Sequence, residues 1–386
     1  MKRKFRLLLC AVLLCLCTLV FAACGAPSNV THEKGITDAY GAIRIDTDGT
    51  TDVKILYAAN GETRVEGALR RGRMLTCEVV DGVLTVTVED TRPRWQRLFT
   101  RSSALTVHLG GSVYGDLAVN GSTGDVAVGE GLTFGDIAID LSTGDVVLTS
   151  VTANGLTVDL STGDVALSDV NILGDVKITQ STGEIAVNGL SASALAIEGS
   201  TGDAGLADVT VLGAVSLVRS TGDVTVSRLV AASLTAETDT GDVRFTDLTA
   251  IGAVSVTTST GDGKYLGLSA ASLSVSADTG SVSVADAAVT ADASVKTSTG
   301  GITLANTTFG GTVTVRASTG KVTLDRADAA ALDIETSTGD VKGTLRSEKV
   351  FIVRAGSGRV NVPETTSGGT CKIVTSSGDI EISIVE

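Results

Sequence analysis

Aromatic side chains are almost missing from this chain, at 3% of 386 residues. Proline stops at 3 residues and histidine at 2. Each shortage excludes something. A core with so few rings suits a narrow interior that offers each turn a few aliphatic slots. Few prolines fit a backbone in which nearly every N–H joins a ladder. His32 and His108 are far apart in sequence and make no zinc signature. No Gly-rich loop follows a strand and opens a helix, so no phosphate cradle is expected. No Ser/His/Asp arrangement stands out, and a sugar groove would lack its aromatic platforms. No catalytic residues, cofactor or structural metal are expected.

Positive charge is also short. The formal net charge is −14, and Lys2, Arg3, Lys4 and Arg6 put +4 into residues 1–23. Removing that +4 leaves −18 on the remainder. Residues 32–110 balance, with 11 basic and 11 acidic side chains, so the excess lies beyond them. An acidic body excludes nucleic acid as a partner, because phosphate needs the opposite sign.

What the chain does have is glycine, 45 residues of it, and a tetrad built around it. Ser-Thr-Gly-Asp or a close variant places glycine at 124, 144, 163, 183, 202, 222, 241, 261, 280, 300, 320, 339, 358 and 378. Every gap among these 14 copies is 19 or 20 residues. Such a period means one unit copied and stacked. In Leu156-Thr-Val158-Asp-Leu160-Ser-Thr-Gly163-Asp164-Val165-Ala-Leu167, apolar residues alternate on both sides of the tetrad. Period two predicts strands. Each unit then has two short strands joined at the glycine. A second, looser bend lies near Ala153-Asn154-Gly155, Ile172-Leu173-Gly174 and Ser191-Ala192-Ser193.

Two all-β topologies fit. In a meander the tetrad is a hairpin turn. In a parallel β-solenoid each unit is one coil, and coils must match in perimeter. The steady period favours the solenoid, a single-stranded β-helix of about 14 coils of 19–20 residues. Right-handed winding is expected from crossover preference. The solenoid should span 113–386. Residues 39–112 lack the tetrad but alternate, and read as an irregular β capping segment. Residues 24–38 read as a polar tether.

The amino terminus has a basic start, an apolar run from Leu7 to Phe21, and Phe21-Ala22-Ala23-Cys24-Gly25. These are the regions of a secretory signal, here 1–23. The apolar run is short for a permanent span. The cysteine after two alanines resembles the lipobox of bacterial lipoproteins, although Phe21 stands where leucine is commoner. The resemblance implies a lipid-modified Cys24 as the new N-terminus, with palmitate-type chains holding the protein to a membrane. An uncleaved anchor helix is the other reading. Either places the body outside the cytoplasm, in the bacterial cell envelope. Cys10, Cys15 and Cys17 leave with the signal. Cys77 and Cys371 stand near opposite ends of the array, too far apart for a disulfide, and read as buried small hydrophobes.

Two features compete with a purely structural account. Asp125, Asp145, Asp164, Glu184, Asp203, Asp223, Asp242 and Asp262 should form an acidic ladder on the stacked corners. A bound Ca²⁺ would relieve it, with Asp125, Asp145 and Asp164 as ligands. Lys321 and Arg359 in the same slots argue for a structural corner instead. The second feature is residues 92–101. Arg92, Arg94, Trp95, Arg97, Phe99 and Arg101 join four arginines to the only Trp. They read either as a plug for the open end or as a contact with anionic lipid or wall polymer.

The capping strands resemble those of the putative-adhesin β-strand-repeat family of bacterial surface proteins, a domain of unknown function. The matching residues are Val80-Asp81-Gly82-Val83-Leu84-Thr85-Val86 and Leu105-Thr106-Val107-His108-Leu109, together with the Ser-x-Gly-Asp-Val repeats. The resemblance covers 39–386 and implies a surface β-solenoid with no catalytic residues. The expected function is a non-enzymatic cell-surface lipoprotein, an adhesin or scaffold. Its partners would be the membrane, other surface proteins or envelope polymers. The alternative is an accessory sensor of envelope stress, with a polysaccharide-active enzyme behind both.

Overall fold

A computed structural model describes residues 29–93 and 102–385. Among these residues every regular element is a β-strand. One repeat shows why. In Gly155–Thr162 the side chains of Leu156, Val158 and Leu160 point into the core, while Thr157 and Asp159 face solvent. Val165–Ile172 continues with Val165, Leu167, Val170 and Ile172 inside. Leu156 lies between Ile137 of the previous coil and Val176 of the next, all strands parallel and in register. The chain is a parallel β-solenoid with an aliphatic interior. Parallel neighbours exclude the meander, whose hairpins pair antiparallel.

Each coil turns three corners. The tetrad glycines form the first, with φ between 122° and 157°. At Gly163 a Cβ would also lie 2.0 Å from the carbonyl oxygen of Gly144. Glycine is therefore demanded twice, by backbone conformation and by the coil beneath. Sequence reading missed the middle corner. It falls six residues after the tetrad glycines from Gly144 to Gly320, at Ser150, Asp169, Gly189, Asp208, Arg228, Asp247, Gly267, Asp286, Asn306 and Arg326, all with positive φ. Asp, Asn and Gly tolerate this left-handed conformation best. The third corner is the looser bend. It explains the alternation of 19 and 20 residues. Leu173, Leu212 and Ile251 are extra residues in every second coil and project into solvent. Asn154, Ser193 and Ala232 turn the same corner without one.

The N-terminal end uses eight strands: β1 (Asn29–Ile36), β2 (Ala42–Tyr57), β3 (Thr63–Arg70), β4 (Arg73–Val80), β5 (Val83–Asp90), β6 (Ser103–Leu109), β7 (Leu117–Thr123) and β8 (Val126–Val128). β2 bends through Gly49 and fills two sides of one coil. It pairs in parallel with β5 and β6 on one edge and with β7 and β8 on the other. The coil made second in sequence is thus the outer one. β4 and β3 run back antiparallel along β5 and β6, and β1 pairs antiparallel with β3. Residues 29–36 correct the expected tether. Their alternation is polar, and partnership with the backbone of β3 makes them a strand.

The C-terminal end repeats the inversion. Gly369–Ser377 lies between Val322–Thr338 and Lys349–Ser357, and Ile380–Ile384 lies between Val341–Leu345 and Val360–Asn361. The last coil in sequence is therefore tucked beneath its predecessor. The corner glycines stack in the order 339, 378, 358, a correction to stacking in chain order.

Candidate functional site

The acidic corner ladder exists, and the structure shows what holds it. The Asp145 amide donates to Asp125 Oδ1 at 2.9 Å, that of Asp164 to Asp145 Oδ1 at 2.8 Å, and that of Glu184 to Asp164 Oδ1 at 2.7 Å. The series begins with the Asp125 amide on Asp52 Oδ1 at 3.2 Å. It resumes through Asp203, Asp223, Asp242 and Asp262, ending on the Ser281 amide. A hydrogen bond to a charged group contributes about 1.5–3 kcal/mol. Repulsion between exposed carboxylates at this spacing costs about 1 kcal/mol in water. The bond outweighs the repulsion, so the carboxylates stitch coil to coil.

The local environments differ along the ladder. Burial raises the carboxyl pKa of Asp145 and of Glu184, and their acidic neighbours add to the effect. Burial also raises that of Asp242, but the Asp262 amide and Arg244 together outweigh it and the net shift is downward. Arg244 reaches both Asp242 and, at 3.1 Å, Asp223. Near the end, the Arg359 amide donates to Asp379 Oδ1 at 2.8 Å and its guanidinium lies 3.1 Å from Oδ2. The Oδ1 atoms of Asp125, Asp145 and Asp164 thus already accept backbone amides. Among the described residues no group of three or more His, Cys, Asp or Glu is arranged to hold a metal ion.

Beneath this ladder lies a residue that sequence reading missed. Arg219 is fully buried and donates to the carbonyls of Gly183, Gly202 and Asp203, each at 3.0 Å. Its guanidinium occupies the space that a side chain at Gly199 would need. The signal was a lone arginine in a buried slot, with threonine one coil later and glycine one coil earlier in register.

Of the arginine-rich segment, Arg92 lies in the described residues. Its guanidinium grips the buried Asp90, with Nε 2.8 Å from Oδ1 and Nη2 2.5 Å from Oδ2. Buried Arg73 lies 3.8 Å from the same carboxylate and donates to Thr51 Oγ1 at 2.6 Å and to the Thr50 carbonyl. These cations hold the Asp90 pKa down at about 2, with the Arg92 hydrogen bond the largest cause. The group ties the corner of β2 to the outer coil. Arg94, Trp95, Arg97, Phe99 and Arg101 lie outside the described residues, as does Cys24. A cleft of about 370 Å³ opens nearby, lined by Asp46, Asp48, Glu89, Asn120 and Asp140 among others. Cys77 and Cys371 are both buried free thiols, and burial pushes that of Cys371 up to about 12.

The profile of the Toastrack DUF4097 family matches this chain over residues 40–244, 202–304 and 269–386. The chain belongs to that family. Solved structures that the chain matches include a "putative adhesin" from Bacteroides fragilis. It is 10% identical, with 93% of this chain and 98% of that one covered and a TM-score of 0.27. A "putative lipid binding protein" from Parabacteroides distasonis is 12% identical over 93% and 98%, with a TM-score of 0.26. A "putative cell adhesion protein" from Clostridium sporogenes is 8% identical over 92% and 100%, with a TM-score of 0.18. None of the curated proteins compared with the chain matches it.

Proposed function

We propose that this Toastrack protein is a non-enzymatic rod of the bacterial cell surface, anchored through Cys24 and used as an adhesin or scaffold. One observation carries the reading. The residues that recur in every coil are engaged in stacking. Glycine fits the corner, threonines such as Thr162, Thr182 and Thr201 lie in register, and aspartates bond the next amide. A catalytic site needs a few groups set apart from their neighbours, and repetition works against that. The secretory pattern of residues 1–25 and the acidic body support an extracytoplasmic place.

Arg94, Trp95, Arg97, Phe99 and Arg101 then become the contact with anionic lipid or wall polymer beside the anchor. Palmitate labelling tests the anchor: label is expected on the full chain and none on Cys24→Ala. Attachment tests the role. Cells lacking the protein should bind their target surface less well than cells carrying it, and equal binding would contradict the adhesin reading. Recovery of a membrane signalling protein from intact envelopes, with attachment unchanged, would favour the stress-sensing alternative.

A further inference from the structure

We propose that the C-terminal end of the rod is a homodimer interface, in which the strand Lys349–Ser357 pairs antiparallel with the same strand of a second copy. Interior strands pair along both edges. Among the described residues this end strand pairs only with Gly369–Ser377. Its outer edge therefore presents a row of backbone donors and acceptors, the usual template for adding another strand.

The side chains agree. Phe351 and Val353 continue the core stack above Cys371 and Ile373, yet remain only half-buried. Ile352 on the other face is 58% exposed and Val350 is 37% exposed. The run Val350-Phe351-Ile352-Val353 carries no charge. A free edge is usually guarded by charge or proline, and within this strand the one exposed charge is Arg354. The strand is also held in position at its start. Lys349 is buried and its Nζ lies 2.8 Å from Asp328 Oδ1.

A second copy suits this edge better than another occupant because the edge is self-complementary. A two-fold axis perpendicular to the sheet makes two end strands antiparallel and keeps both cores on one side. Centred on Val353, the pairing sets Phe351 opposite Ala355 and Ile352 opposite Arg354. Centred on Ile352, it sets Phe351 opposite Val353 and Val350 opposite Arg354. Neither register opposes like charges. Residues 347–367 carry Glu348 and Glu364 against Lys349, Arg354 and Arg359, a net +1 on an otherwise acidic array. Two acidic rods repel one another least where they meet end to end.

Crosslinking on intact cells tests this with the full chain. Ile352→Cys with a short bismaleimide should give a band of doubled mass, and Thr235→Cys at mid-rod should give none. Sedimentation of the full chain in detergent should show a concentration-dependent dimer at micromolar protein. Ile352→Asp should weaken it at least tenfold, and Val350→Asp should do the same from a second exposed position. A melting temperature close to wild type would confirm that these variants fold. A monomer at every concentration would overturn the proposal. So would a dimer indifferent to both substitutions, a ladder of higher oligomers, or crosslinking of Ile352→Cys only to a different protein.

Discussion

At the N-terminal end, β3 and β4 run back along the outermost coil and β1 adds a further antiparallel strand. At the C-terminal end, Lys349–Ser357 lies with its outer edge bare. The two ends nevertheless share one device. In each, the outermost coil is not the one nearest the chain terminus, which is clamped between two neighbours. A first or last coil left outside would pair along one edge only. Placed beneath, it pairs along both edges. The difference lies in what covers the outer coil. β4 and Lys349–Ser357 each hold two charged residues, but only Lys349–Ser357 has four successive uncharged apolar side chains, Val350 to Val353, between them. At one end antiparallel strands cover the outer coil, and at the other no strand among the described residues does.

The comparison can be broken at several points. The largest effect is expected from Asp90→Ala, which leaves Arg73 buried without its carboxylate. Breaking a buried pair costs about 3–5 kcal/mol. Hydrogen exchange should rise across β3 to β5 while the C-terminal coils keep their protection. Next comes Ile373→Ala in the tucked strand. Ile373 is fully buried, and such a truncation costs about 2–5 kcal/mol. Val353→Ala, directly above it in the stack, is half-buried and should cost about 1 kcal/mol by the area it removes from water. Thermal melting of the pair measures the step between interior and end.

Acid should sharpen the contrast. Asp90 has a folded pKa of about 2, below the ordinary carboxyl value of about 4. A depressed pKa contributes stability that is fully present above the ordinary value and lost as pH falls through the folded one. The N-terminal end should therefore loosen between about pH 4 and pH 2. Asp90→Asn should remove that dependence, as read by exchange in β4 and β5. The smallest effect on stability is expected from Ile352→Asp, within about 0.5 kcal/mol because the site is exposed. Its consequence should fall on association instead.

Much of the solenoid was legible in the sequence because its causes are local. Gly163 must turn a corner that a Cβ would block, and Leu156, Val158 and Leu160 must alternate. The middle corner was legible in principle, six residues beyond each tetrad glycine from Gly144 to Gly320. It was hidden because Ser150, Arg228 and Arg326 share a slot otherwise held by Asp, Asn and Gly. The purpose of the aspartates was half visible. Their acceptance of a backbone amide could be expected, but not that the amide belongs to the next coil. Coil order at the ends left no trace, since exchanging two coils of equal perimeter preserves the period. β1 was missed because its pattern is polar and its stability comes from partner residues 27 to 41 positions away.

The tucked C-terminal coil is the most direct point of attack on this account. Hydrogen exchange resolved by segment should find Gly369–Ser377 more protected than Lys349–Ser357, against their order in the chain. Protection that instead falls steadily from Val322–Thr338 through Lys349–Ser357 to Gly369–Ser377 would contradict it.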